Sequence, residues 1–201
     1  MSLIPVFDIG LWNAWIFELC ALLPLPILLL IRKRRALKSE RGADSKSELD
    51  YMTKTEKRLF GFSRIVMFLP IIYSIFLPLK LGTTWFYVGL PIALVGLIML
   101  LTVWVNFATT PFDDEPITTG LYRYSRHPMY LTSFLMYIGI GIACASWLFL
   151  LLSIASVLFA NVRFAGFEER LCLEKYGATY REYMDRTPKW LGSPKLEREV
   201  N

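Results

Sequence analysis

The sequence predicts an all-α fold: an integral membrane bundle of about five transmembrane helices, with a C-terminal helical hairpin and an amphipathic cytoplasmic tail. Three observations carry this. Apolar runs of about 20 residues, the length of one bilayer crossing, recur along a chain that is 55% hydrophobic with a mean hydropathy of +0.44. Lysine and arginine gather in three places, the connector after the first run, a polar stretch ending near residue 127, and the tail, with Lys80 the one clear exception. The stretch from Pro128 to Ala165 carries Arg163 as its only charge. As one helix it would be about 57 Å long, against a hydrocarbon core of about 30 Å, so it must fold back. The chain reads as a single membrane domain, residues 1–201.

The first span is expected over 11–31. Trp12 and Trp15 suit its outer interface, Pro24 and Pro26 kink it, and it stops at Arg32-Lys33-Arg34-Arg35. No basic segment precedes it, so it is a retained span and not a cleaved signal. The connector 32–58 mixes both charge signs and reads as a solvated loop that fixes topology, or as a surface helix broken near Gly42. Span two covers 59–79 with Pro70 and Pro78, and Lys80 to Thr84 form a tight turn. Span three covers 85–107. Gly89 and Gly96 there permit close helix approach, and Asn106 either caps the helix or faces a site.

Loop 108–127 follows, with the acidic turn Asp113-Asp114-Glu115 between prolines. Pro128 suits a first helical turn and opens span four, 128–143, where Gly139 and Gly141 serve packing. The small, polar break Ala143-Cys144-Ala145-Ser146 turns the chain into span five, 147–165. The tail, 166–201, is expected to form a short helix starting with Glu168-Glu169 and ended by Gly177. A second helix carries Tyr180, Tyr183 and Met184 and stops at Pro188; Trp190 is placed to anchor at the interface.

Five spans put all three basic regions on one side, which the positive-inside rule makes cytoplasmic, with the N-terminus outside. The short lead before the first span points to a bacterial inner membrane. The net charge of +5 then belongs to contact with membrane lipid; no motif for nucleic acid accompanies it. Cys20, Cys144 and Cys172 have neither metal nor redox spacing and read as small buried side chains, so no metal is expected.

The chemistry concentrates between Thr118 and Tyr130, which hold two arginines, three tyrosines and the single histidine. A hairpin of spans four and five brings Arg126, His127 and Tyr130 to face Glu168 and Glu169 across one pocket. Arginine suits a carboxylate; the two acids suit an amine or ribose hydroxyls; tyrosine suits an adenine face. S-adenosylmethionine has all these parts, and nicotinamide nucleotides share adenine and ribose. Plainer roles stand beside these. His127 could cap span four, Arg123, Arg126 and Arg163 could snorkel to lipid phosphate, and the two glutamates could answer a helix N-terminus. Tyr180 and Tyr183 suit packing, and the acidic turn suits solvent.

Two blocks carry a family resemblance. Gly120-Leu-Tyr122-Arg-Tyr-Ser-Arg126-His127-Pro128-Met-Tyr130 is similar to G-x-Y-x-x-x-R-H-P-x-Y. Glu168-Glu169-Arg-Leu-Cys-Leu-Glu-Lys-Tyr176-Gly177-Ala-Thr-Tyr180-Arg-Glu-Tyr183 is similar to E-E-x-L-x-x-x-F/Y-G-x-x-Y-x-x-Y, with one residue more before Tyr176. Both resemble the membrane methyltransferases that include isoprenylcysteine carboxyl methyltransferases and phospholipid N-methyltransferases. The resemblance implies S-adenosylmethionine as methyl donor, held by Tyr122, Arg126, His127, Pro128, Tyr130, Glu168 and Glu169. It implies His127, Glu168 and Arg163 as catalytic groups. The acceptor is lipophilic: a prenylcysteine-like carboxylate, a phospholipid amine or a small lipophile. Thr132 departs from the glycine common in the family. Sterol-type NADPH reductases carry R-H-P-N-Y-x-G-E, which Met129, Thr132 and Ser133 contradict; a non-catalytic membrane protein is the third alternative.

Overall fold

Prolines split the first apolar run. In the computed structural model, which describes residues 8–38, 53–110 and 115–193, α1 (Trp15–Leu22) ends two residues before Pro24 and α2 (Leu25–Lys38) begins one after it. Pro26 sits in the first turn of α2, where its missing N–H leaves no bond unmade. Next come α3 (Lys54–Ile75), α4 (Thr84–Thr109), a 3₁₀ turn (Gly120–Arg123), α5 (Pro128–Ala143), α6 (Trp147–Tyr176) and α7 (Ala178–Arg186). The described residues contain no β-strand, only an isolated bridge between Asn13 and Pro78. The expected break near Gly42 and residues 111–114 of the acidic turn lie outside the described residues.

The hairpin forms where an apolar run with a single charge, too long for one crossing, demanded it. Ala145 takes the left-handed conformation at φ 51°, and the Ser146 hydroxyl accepts from Phe149 N–H to start α6. α5 lies against α4 along a seam of glycines. A Cβ on Gly89, Gly96 or Gly139 would stand 2.2, 2.3 or 2.1 Å from the backbone nitrogens of Ala143, Met136 and Ala93. Such closeness lets backbones meet where larger side chains would hold them apart. Leu97, Leu100, Met136 and Ile140 extend the core from this seam to Phe17, Tyr73, Leu77 and Phe149. The outward faces are apolar too: Ile27, Leu30, Ile72, Ile98 and Leu158 are all more than half exposed, which suits a lipid surround. Residues 15–35 and 84–109 are long and apolar enough to cross a membrane; α5 and residues 147–158 are shorter apolar segments.

The loops sort to two ends. At one, Ala14 N–H donates to Leu77, Leu79 N–H to Trp12 and Lys80 N–H to Ala143. The other end gathers the C-termini of α2 and α4, the 3₁₀ turn, the start of α5 and the last turns of α6.

The structure departs from two expectations here. The helix does not stop within Arg32-Lys33-Arg34-Arg35 but runs on to Lys38, and its basic residues close the end of α4. Arg32 lies over the Phe107 ring at 3.6 Å and donates to the Phe107 carbonyl, while Arg35 donates to the Thr109 carbonyl. Cations there satisfy the orphan carbonyls of a helix C-terminus. Likewise no new helix begins at Glu168. α6 continues through Gly166 for 30 residues, about 45 Å, so the expected boundary between span and tail at 165 is not a break in the helix. An interior glycine costs a helix only about 0.5–1 kcal/mol, less than breaking its main-chain bonds would. The two glutamates thus lie inside a helix, nearer its C-terminus, where the macrodipole does not favour them. Their stabilisation must come from side chains.

Candidate active site

Those side chains come from the start of α5. Asn106, near the end of α4, donates from Nδ2 to the Thr119 carbonyl at 2.8 Å and so ties α4 to the 3₁₀ turn. Gly120 has φ 61°, and a Cβ there would stand 2.6 Å from Asn106 Nδ2. The chain then passes Tyr122 and Ser125 and enters α5 at His127, with Pro128 buried in the first turn.

His127 occupies the N-cap position, yet its side chain makes no capping bond; the capping role is therefore not what holds the ring. It is 5% exposed and lies between the two acids. Nδ1 is 3.3 Å from Glu168 Oε2, and Nε2 is 3.2 Å from Glu169 Oε1. A neutral imidazole can donate to one of these oxygens, and a doubly protonated ring to both. Tyr130 donates its hydroxyl to Glu168 Oε1 at 2.8 Å. Arg126 Nη1 lies 3.4 Å from Glu169 Oε1. That is a charge contact without hydrogen-bond alignment: Nη1 and Nε of Arg126 are buried and have no hydrogen-bond acceptor. Two buried donors on a guanidinium are costly unless an acceptor meets them.

Each expected site residue has a definite place. Arg126, His127, Tyr130, Glu168 and Glu169 form one cluster. Pro128 sets the start of α5 beneath it. Tyr122 is next to it: its carbonyl accepts from the Tyr183 hydroxyl at 2.7 Å. Burial, with the Glu168 charge adding to it, pushes the Tyr122 phenol above the ordinary tyrosine range. Arg163 lies in α6, but its side chain falls outside the described residues. Arg123 is exposed and belongs to a separate cleft of about 370 Å³, which it lines with Glu115, Thr118, Glu182, Tyr183 and Arg186. None of the clustered residues lines that cleft. Thr132, at the position of the family glycine, is buried and spends its hydroxyl on the Pro128 carbonyl at 2.9 Å.

Tyr180 and Tyr183 are buried packing residues, 5% and 7% exposed; burial raises both phenols. Trp190, expected from sequence to anchor at the interface, meets the cluster. Its ring lies 5.5 Å from the His127 ring, and Lys189 Nζ lies 3.2 Å from Glu169 Oε2. These two neighbours of the site were missed from sequence. The only signal was a cation and an aromatic just past the proline that ends α7.

Residues 80–179 match the phospholipid methyltransferase family model. The match runs from the turn before α4 to the first turn of α7 and includes His127, Glu168 and Glu169; Lys189 and Trp190 lie beyond it. No curated protein matches the chain. The match supports a membrane-associated methyltransferase and does not favour the reductase alternative. The matched region spans the glycine seam, the hairpin and the His127 cluster, and it bears out the resemblance that the two sequence blocks carry to the phospholipid methyltransferase family.

Proposed function

We propose that the chain transfers a methyl group from S-adenosylmethionine to a lipophilic acceptor. The observation that carries the reading is the cluster of Arg126, His127, Glu168 and Glu169 at one end of the hairpin, in which Arg126 keeps two buried donors without hydrogen-bond acceptors. The residues fit the donor. Arg126 and His127 suit its carboxylate, Glu168 and Glu169 its amino group or ribose hydroxyls, and Tyr122, Pro128 and Tyr130 wall the site. When bound, the donor supplies an electrophilic methyl carbon on a positively charged sulfur.

The chain's own part is alignment, proximity and exclusion of water. A carboxylate acceptor needs no base. For an amine acceptor, His127 takes the proton at a ring nitrogen, and the carboxylates 3.2 and 3.3 Å away stabilise the charge that forms. Arg163 remains a proposed catalytic group. The acceptor class is a prenylcysteine-like carboxylate, a phospholipid amine or a small lipophile. The proposed topology has five crossings of a bacterial inner membrane, with the cluster on the cytoplasmic side.

Calorimetric titration of the detergent-solubilised protein with S-adenosylhomocysteine tests this. Binding below millimolar concentration is expected, with loss in His127→Ala; no binding by the wild-type chain overturns the reading. Labelled methyl transfer into membrane extracts then identifies the acceptor by product mass.

A further inference from the structure

The segment after α7 returns to the cluster and lies along the loop before α5. Arg126 N–H donates to the Pro188 carbonyl at 3.1 Å, and Gly192 N–H donates to the Tyr124 carbonyl at 3.2 Å. The Ser125 hydroxyl donates to the Lys189 carbonyl at 3.3 Å. Residues 188–192 are thereby strapped across residues 124–126. The strap's two central side chains converge on one place. Lys189 Nζ sits 3.2 Å from Glu169 Oε2 and 5.9 Å from the Trp190 ring, and that ring lies beside His127. A carboxylate on one side and an aromatic face on the other is a seat for a cation.

We infer that Glu169, Trp190 and His127 form a cation subsite, which Lys189 fills as an internal counter-ion and vacates for an organic ammonium or sulfonium. Two observations single out Lys189 as the ion that moves. Its side chain is 34% exposed, against 11% for Arg126, the other cation on Glu169. Lys189 can reach water at little cost; Arg126 would have to cross packed protein. The strap is also held by main-chain atoms of residues 188, 189 and 192, so the lysine side chain can leave while the strap stays.

Formal charge sets the preference. Among the four flanking side chains, Arg126 and Lys189 balance Glu168 and Glu169 in formal charge. Withdrawal of Lys189 leaves one negative charge in surplus, so the subsite selects a ligand with one net positive charge. The cation seat stands on this geometry alone; naming its occupant as the methyl donor rests on the proposed function. Under that reading Lys189 yields to the positively charged donor and competes better against the neutral spent donor, favouring its release.

Lysine labelling in the full wild-type chain tests the subsite with trimethylsulfonium as probe. Reductive methylation of Lys189, followed by mass spectrometry, is expected to rise severalfold when the probe is present at millimolar concentration. Unchanged or lower labelling overturns the inference. Lys189→Met is expected to bind the probe at least fivefold tighter than wild type, Lys189→Arg to bind like wild type, and Glu169→Gln to lose it. Equal or weaker binding by a folded Lys189→Met overturns the inference as well. Parallel titrations with S-adenosylmethionine separate the two readings. If trimethylsulfonium frees Lys189 and the nucleoside does not bind, the subsite is upheld and the methyl-donor reading fails.

Discussion

Replacing Gly139 by alanine should unseat the helix that carries His127. The added Cβ would stand 2.1 Å from Ala93 N and 2.6 Å from Ala93 Cα. Both are backbone atoms of α4 and cannot rotate aside. To reach the 3.4 Å of ordinary contact the helices must part by about 1.3 Å at this point. Gly89 and Gly96 hold the same seam, so the separation would spread along α4 and α5. Overpacking of this kind costs about 1–3 kcal/mol, and a backbone clash belongs at the upper end. A loss of about 3 kcal/mol shifts the unfolding equilibrium roughly a hundredfold. The assay is reversible unfolding of the purified protein in mixed micelles, followed by tryptophan fluorescence. Gly166→Ala is the matched control. That glycine also lies inside a helix, but its added Cβ meets nothing within 4 Å, so the exchange should stabilise by up to about 1 kcal/mol through helix propensity. Equal midpoints for Gly139→Ala and wild type, or shifts of the same sign in both variants, would refute the close seam.

Glu169→Gln should cost about 3 kcal/mol of stability, because buried Arg126 loses its charged partner; Glu168→Gln, at a side chain 43% exposed, should cost less than about 1 kcal/mol. Denaturant midpoints of the two variants check the ranking. Tyr183→Phe removes the 2.7 Å bond to the Tyr122 carbonyl and should lower stability by about 1 kcal/mol, with a several-fold weaker affinity for S-adenosylhomocysteine in the same calorimetric titration. The raised phenols of Tyr122, Tyr180 and Tyr183 fix the sign of an alkaline effect. Their folded values lie above the unfolded value of about 10, so their contribution is whole below that pH and is lost as pH rises past it. Tyrosinate absorbance should show these three of the ten tyrosines ionising late and together with unfolding; early titration of all ten would contradict their burial.

The parts of this architecture that were legible in sequence are those set by local chemistry or by length. Ala143 to Ser146 had to turn because an apolar run of that length, with Arg163 its only charge, cannot cross once. Pro128, Gly177 and Pro188 punctuate helices through their own backbone limits. His127 met Glu168 and Glu169 because a hairpin leaves its two ends nowhere else to go. The rest depended on contacts between distant segments. Gly166 has the look of a breaker, yet the helix runs through it, since tertiary packing outweighs a small propensity term. The return of Pro188 to Gly192 onto residues 124–126 is made largely by main-chain bonds, which any sequence can form and none advertises. Arg32 and Arg35 read as a topology signal; their second use, closing the end of α4, is visible only once the two helix ends lie side by side.

The stitching of the opposite end has a mechanical consequence. Ala14, Leu79 and Lys80 bind the first helix, the loop before α4 and the hairpin turn to one another through backbone amides. Of the possible substitutions at these three positions, only proline removes the donating N–H itself. Under the proposed function, a guest at the opposite end would meet lysine, tryptophan and imidazole side chains, which can turn aside, while this end keeps its main-chain ties.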